Sequence, residues 1–153
     1  MEVIRGFVRE GGKLLATFET SLYNEKGEAR SDLGLSDVFG CSYTGIKKSG
    51  SYYGYQYVNQ SSSLTNGFED TSLIANWGKN LLVRAINSGD VDEPFAYVPQ
   101  IFPQPPERSW LNSLKTPYPS MIVHSFEKGK VVYFPNEVDR NVWYMGIVIL
   151  VMC

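Results

Sequence analysis

Gly11-Gly12-Lys13-Leu14-Leu15-Ala16-Thr17-Phe18-Glu19-Thr20-Ser21-Leu22-Tyr23 is the stretch on which the fold turns. A glycine pair precedes a short apolar run of strand length, and the run passes directly into a segment of hydroxyls and one carboxylate. Upstream, Val3, Ile4, Phe7 and Val8 stand at helical spacing, so the glycines are the expected left-handed stop of a helix. The apolar run predicts a central strand buried on both faces of a partly parallel sheet. Helix, glycine pair and strand together read as the second half of a βαβ unit whose first strand would lie before Met1, which predicts that the chain is a fragment.

Working outward, Glu19 to Ser31 is polar and carries the turn signal Asn24-Glu25-Lys26-Gly27. Ser31 and Asp32 offer N-cap oxygens to a helix through Leu33, Leu35, Val38 and Phe39, closed by Gly40. Between Cys41 and Ser63, five tyrosines (43, 52, 53, 55 and 57) interspersed with Gly45, Gly50 and Gly54 predict short strands in an irregular hairpin. Leu73-Ile74-Ala75 predicts a short helix or turn, and Leu81 to Ile86 a strand. Across the turn Asn87-Ser88-Gly89-Asp90, that strand is expected to pair antiparallel with Phe95 to Ile101. Pro99, Pro103, Pro105 and Pro106 exclude regular structure after it. The clearest hairpin sets Met121–Phe126 against Val131–Phe134 through Glu127-Lys128-Gly129-Lys130, and Asp139 is placed to cap a last helix from Asn141. Nothing divides the chain, so residues 1–153 are expected to form a single domain.

Composition narrows the classes. The 153 residues are 43% hydrophobic and 20% charged, near the globular average, so a folded domain is expected rather than disorder. Lys plus Arg number 14 against 16 Asp plus Glu, a net charge of −2, which leaves no cation excess for a row of phosphates and argues against nucleic acid. The apolar run Ile147 to Val151 is far shorter than the ~20 residues that cross a bilayer, so it predicts a buried element and no membrane partner. No signal-peptide pattern follows Met1, and the cytosol is the expected compartment.

One histidine and two widely separated cysteines cannot assemble a transition-metal site, and no Walker loop or G-x-G-x-x-G follows a strand, so no metal and no cofactor is expected. His124 alternates with Val123 and Ser125 in a strand, which favours an imidazole hydrogen-bonded to a neighbour over a general base. Cys41 follows a helix terminus and lacks the dipole that activates a thiol, which favours a buried, inert side chain. The best candidate crevice is the carboxyl end of the strand Lys13 to Phe18, where Glu19, Thr20, Ser21 and Tyr23 collect. These groups suit a sugar or polar peptide, and they suit equally well the capping of the next helix, the favoured role. Arg30, Asp139 and Arg140 are expected near the same strand end as an ion-paired cluster. The tyrosine-rich stretch offers a stacking surface for a sugar ring, and Asn59-Gln60-Ser61 matches a sequon without a secretory signal.

The opening stretch, followed by Asp32-Leu33-Gly34-Leu35-Ser36-Asp37-Val38-Phe39-Gly40, resembles the trimerisation-type domain of β-galactosidase-like glycoside hydrolases. So does Gly129-Lys130-Val131-Val132-Tyr133-Phe134-Pro135 with Asp139-Arg140 and Trp143. The resemblance implies an α/β fold, a flavodoxin-like or class I glutamine amidotransferase-like three-layer sandwich with a mixed sheet, here lacking its first strands. In that family the catalytic carboxylates belong to a separate barrel. An amidotransferase carries Cys in G-x-C-x-G and a His-x-Glu pair; Gly40-Cys41-Ser42 has the wrong frame and His124-Ser125-Phe126 lacks the carboxylate. The resemblance therefore implies a catalytically silent accessory domain that forms subunit contacts or shapes a neighbouring active site, with no catalytic residues of its own. A homo-oligomer is the expected partner state, because a strand 13–18 stripped of its neighbour leaves an open edge, to be covered by strand pairing between two copies or by the apolar tail Ile147 to Val151 folding over the gap. A carbohydrate-binding module, or a glycoside hydrolase using Glu19 with a second carboxylate such as Asp139, are the alternatives.

Overall fold

The computed structural model describes residues 1–86, 89–99, 105–108, 110, 111 and 113–145. The expected turn at Asn87-Ser88, the residues Ile101 and Pro103, and the apolar run Ile147 to Val151 with Cys153 lie outside them. Among the described residues the elements are α1 (Glu2–Arg9), β1 (Lys13–Thr17), α2 (Ser36–Phe39), β2 (Cys41–Val58), β3 (Leu73–Ala85), β4 (Val91–Val98), β5 (Pro119–Phe126), β6 (Gly129–Phe134) and α3 (Val138–Met145), with single 3-10 turns at Ser63–Thr65 and Pro106–Arg108. The architecture is of α/β type: one six-stranded mixed sheet in the order β1-β6-β5-β4-β2-β3, flanked by few helices. β1 and β6 run parallel, and every other pair is antiparallel.

The helix, glycine and strand opening forms as its sequence predicts. Gly11 takes a φ of 108°, and the amides of Gly11 and Gly12 return to the carbonyls of Val8 and Phe7, closing α1 before β1 begins. The β5–β6 hairpin also forms at the expected place, with Val123 opposite Val132 and Phe126 opposite Gly129. Alternation along these strands divides the core. Val131, Tyr133 and Ile122 face a first layer containing Val8, Leu22, Leu33, Leu35, Val38 and Phe39. Phe134, Met121 and Val123 face a second containing Val58, Ile74, Phe95 and Val138. Phe39 stacks on Tyr133 with ring centroids 4.4 Å apart, a contact worth ~0.5–1.5 kcal/mol beyond its buried area.

Five expectations are corrected. β1 is not a central strand: among the described residues it pairs with β6 alone and stands at the sheet edge, with Leu15 67% exposed. The tyrosine-rich stretch is one 18-residue strand rather than short strands of a hairpin, because its glycine-marked irregularities are absorbed as register shifts against β3, the first of them around Gly45 at φ 80°. Leu73-Ile74-Ala75 begins β3 instead of forming a helix or turn; the polar residues Asn76 and Asn80 that interrupt the pattern are buried, Asn76 hydrogen-bonding both Asn80 and Asn136. Finally, β3 and β4 are not partners, since β2 inserts between them. The helix expected from Ser31 is also only the single turn of α2, and Asp32 is occupied elsewhere, accepting from the amides of Leu33 and Tyr43, both at 2.7 Å.

Candidate functional site

At the carboxyl end of β1 the backbone turns abruptly. Phe18 and Ser21 adopt left-handed φ values of 47° and 69°, a conformation that costs non-glycine residues about 1–2 kcal/mol each. Contacts from elsewhere hold them there. Tyr133 Oη donates to the Phe18 carbonyl at 2.6 Å, and the Phe18 amide donates to the carbonyl of Phe134. Ser21 Oγ accepts from the Leu35 amide at 3.2 Å, and its carbonyl accepts from the Gly34 amide at 2.9 Å. Thr20 Oγ1 donates back to the Thr17 carbonyl at 2.6 Å. The hydroxyls of Thr20 and Ser21 therefore tie down the loop and its link to α2.

Glu19 and Tyr23 point outward from this turn. Tyr23 Oη donates to Glu19 Oε1 at 3.3 Å, and the ammonium of Lys47, reaching across from β2, donates to the same oxygen. That hydrogen bond holds the Lys47 pKa above its ordinary value. The Lys47 ammonium also lies 5.4 Å from the centre of the Phe18 ring. Tyr43 stands beside the cluster with its phenol pKa pushed up, first by burial. The result is a polar shelf of one carboxylate, one ammonium and two phenols, a set that hydrogen-bonds hydroxyl-rich ligands. Lys47 was not among the residues singled out from the sequence. It lies 28 positions from Glu19, and the register that delivers it is displaced by the Gly45 irregularity.

The remaining candidates are distributed elsewhere. Arg30 belongs to the loop, where its backbone amide donates to Leu22, its Nε to the Tyr23 carbonyl at 3.4 Å, and its Nη2 lies 3.8 Å from Glu25. Asp139 and Arg140 lie on α3, whose Val138 packs in the second layer, whereas the β1–α2 loop packs its Leu22 and Leu33 in the first. Arg140 pairs with Glu137 at 3.3 Å. The three thus reach the same end of the sheet on opposite faces.

His124 and Cys41 take the structural positions that their contexts favour. His124 Nδ1 donates to the Val38 carbonyl at 2.8 Å, and its ring packs against Gly40. Cys41 is buried, and desolvation raises its thiol pKa well above the ordinary range, the reverse of an activated nucleophile. Among the described residues no group of three or more His, Cys, Asp or Glu side chains is placed to hold a metal, and no helix is long and apolar enough to cross a membrane.

No protein-family model and no curated protein sequence matches the chain. Solved structures do. The β-galactosidase of Bacillus circulans sp. alkalophilus is 13% identical with a TM-score of 0.63, over 95% of this chain and 20% of its own. The cold-adapted β-galactosidase of Rahnella sp. R3 is 15% identical with a TM-score of 0.59, over 89% of this chain and 18% of its own. A cytoplasmic protein of Salmonella typhimurium LT2 is 14% identical with a TM-score of 0.57, over 88% of this chain and 48% of its own. The chain therefore has the fold of a small portion of these β-galactosidase chains and spans about a fifth of their length.

Proposed function

We propose that residues 1–153 are a catalytically silent accessory domain of the kind carried by β-galactosidase-like glycoside hydrolases, serving subunit contacts or shaping a neighbouring active site. In this reading the sheet is the later part of a flavodoxin-like, class I glutamine amidotransferase-like sandwich. The supporting observation is the coverage: 95% of this chain overlays on only 20% of a hydrolase. The site chemistry agrees with it. Glu19 is engaged by Lys47 and Tyr23, while Asp139, the carboxylate that a two-carboxylate mechanism would enlist, is carried by a helix on the other face. Cys41 is buried, and His124 is engaged by a backbone carbonyl.

The test is an assay of the purified chain for hydrolysis of a chromogenic β-galactoside and for ammonia release from glutamine. No turnover is expected in either. Galactoside hydrolysis abolished by Glu19→Gln, or glutaminase activity abolished by Cys41→Ala, overturns the reading.

A carbohydrate-binding role is the second reading, favoured by Tyr23, 41% exposed beside Glu19 and Lys47. Saccharide-dependent change in intrinsic fluorescence, lost in Lys47→Ala, is its expected signature. A flat titration across a glycan panel ends it.

A further inference from the structure

Five uncharged polar side chains, Gln56, Asn76, Asn80, Ser120 and Asn136, are buried, none more than 6% exposed. Four of them form a network. Asn136 Nδ2 donates to Asn76 Oδ1 and to Ser120 Oγ, both at 3.3 Å, and Asn76 Nδ2 donates to Asn80 Oδ1 at 3.2 Å. Ser120 reaches it from a register shift in β5, between the pairs Phe95–Met121 and Ala96–Pro119, where a bulge re-aims a side chain. The network fastens a seam at which the segment after β6 returns to β3. There Asn80 bridges Asn136, the Leu81 amide donates to the Pro135 carbonyl, and the Glu137 amide donates to the Lys79 carbonyl. Gln56 adjoins the network through the register of β2. It stands opposite Ile74 and two residues before Val58, both in the second layer, so its side chain enters that layer. Asn76 follows Ile74 on the same face, and the residue across the ladder from Asn76 is Gly54. Gly54 is buried and contributes no side chain to the place between Gln56 and Asn76, the setting in which a strand glycine admits a close approach.

Three atoms of this cluster lack a hydrogen-bond partner among the described residues: Gln56 Nε2, Gln56 Oε1 and Asn136 Oδ1. Exchanging the two ends of the Gln56 amide satisfies neither, since both are unpaired. Buried amides are nearly always bonded, and the chemistry of these three atoms defines what can bond them. The occupant must accept from an N–H and donate to two carbonyl oxygens. An ion would lie unpaired among neutral groups, and an apolar molecule would leave all three atoms unbonded. The depth of the side chains keeps the occupant small. Water has two donors and two acceptors and is held in such places by two to four polar partners. We propose that internal water resides over Gly54, accepting from Gln56 Nε2 and donating to Gln56 Oε1 and Asn136 Oδ1. The donor and acceptor of the Gln56 amide point apart, so at least two molecules are required. They tie β2 into the carboxamide network that joins β3, β5 and the segment after β6.

The experiment is nuclear magnetic resonance of the full chain labelled with nitrogen-15. The side-chain amide protons of Gln56 are expected to show cross-relaxation with water, of opposite sign in the laboratory and rotating frames, as a held water gives and a passing one does not. Oxygen-17 relaxation dispersion of the solvent then counts the long-lived waters. Gln56→Met keeps the length of the side chain and removes its amide, and the count is expected to fall by at least two. Should Gln56→Met not fold, the cross-relaxation in the unsubstituted chain decides alone. Gln56 amide protons without that signal overturn the proposal, as does a folded Gln56→Met chain with an unchanged water count. A high-resolution crystal structure in which both ends of the Gln56 amide bond protein groups overturns it as well.

Discussion

Tyr133 shows how much one side chain holds at the residue scale. Its ring stacks on Phe39 in the core, and its hydroxyl anchors the carbonyl of left-handed Phe18. Tyr133→Phe keeps the stack and loses the bond, so unfolding in urea is expected to show a loss of about 1–2 kcal/mol with the slope unchanged. Cys41 gives a pH prediction. Burial raises the pKa of its thiol, and burial likewise raises that of the Tyr133 phenol. Below about pH 8.5, the ordinary thiol value, both folded and unfolded chains keep the thiol proton and this contribution to stability is fully present. Above it only the unfolded chain ionises, so stability falls as pH rises, and Cys41→Ala reduces the slope between pH 8 and 10. A slope identical in the two proteins removes Cys41 as its source. The burial of Cys41 was legible from its place after a helix stop, whereas Lys47 was not legible as the partner of Glu19. A cation on a strand gives no local sign of which distant carboxylate its register will bring near.

Elements meet at two glycines. Gly129 starts β6 under the last turn of α1, where an added Cβ would stand 2.1 Å from the Val8 carbonyl oxygen and 2.5 Å from that of Gly12. Both obstacles are backbone, so Gly129→Ala must displace the helix, at a cost of about 3 kcal/mol, read from urea melts and loss of near-ultraviolet dichroism. Gly40 ends α2 at φ 73°, and its Cβ would stand 2.8 Å from His124 Cγ. Gly40→Ala combines left-handed strain with overlap, for an expected loss of about 2–4 kcal/mol. A loss under 0.5 kcal/mol at either position contradicts the packing described. The glycines announced where elements stop, but only the fold shows what would crowd a side chain there. Gly45 illustrates the other side: its left-handed φ sits at an irregularity within β2, because a long strand can absorb extra residues without reversing direction.

At the scale of the whole molecule, α1 is fastened to the body of the protein partly through Arg5. Two of its nitrogens bond the carboxylate of Asp37, holding the Asp37 pKa below the ordinary carboxylate range. A depressed carboxylate stabilises the fold above its unfolded value and loses that contribution as pH falls through about 4, so Asp37→Asn is expected to flatten the acid limb of the stability profile. Asp37 is about half exposed, which limits the effect to about 1 kcal/mol or less. An unchanged acid limb in that variant disproves the linkage. By itself the sequence determined the helix, glycine and strand opening, the β5–β6 hairpin, the hydrogen-bonded setting of His124 and the burial of Cys41, because spacing, caps and short turns act over a few residues. Tertiary structure alone decided that β1 lies at the edge, that β2 separates β3 from β4, and that Glu19 meets Lys47 while Arg30 and Asp139 sit on opposite faces. Ladder neighbours are chosen by pairing between segments tens of residues apart, and a Leu-Leu-Ala run has the same local pattern whether one strand or two lie beside it.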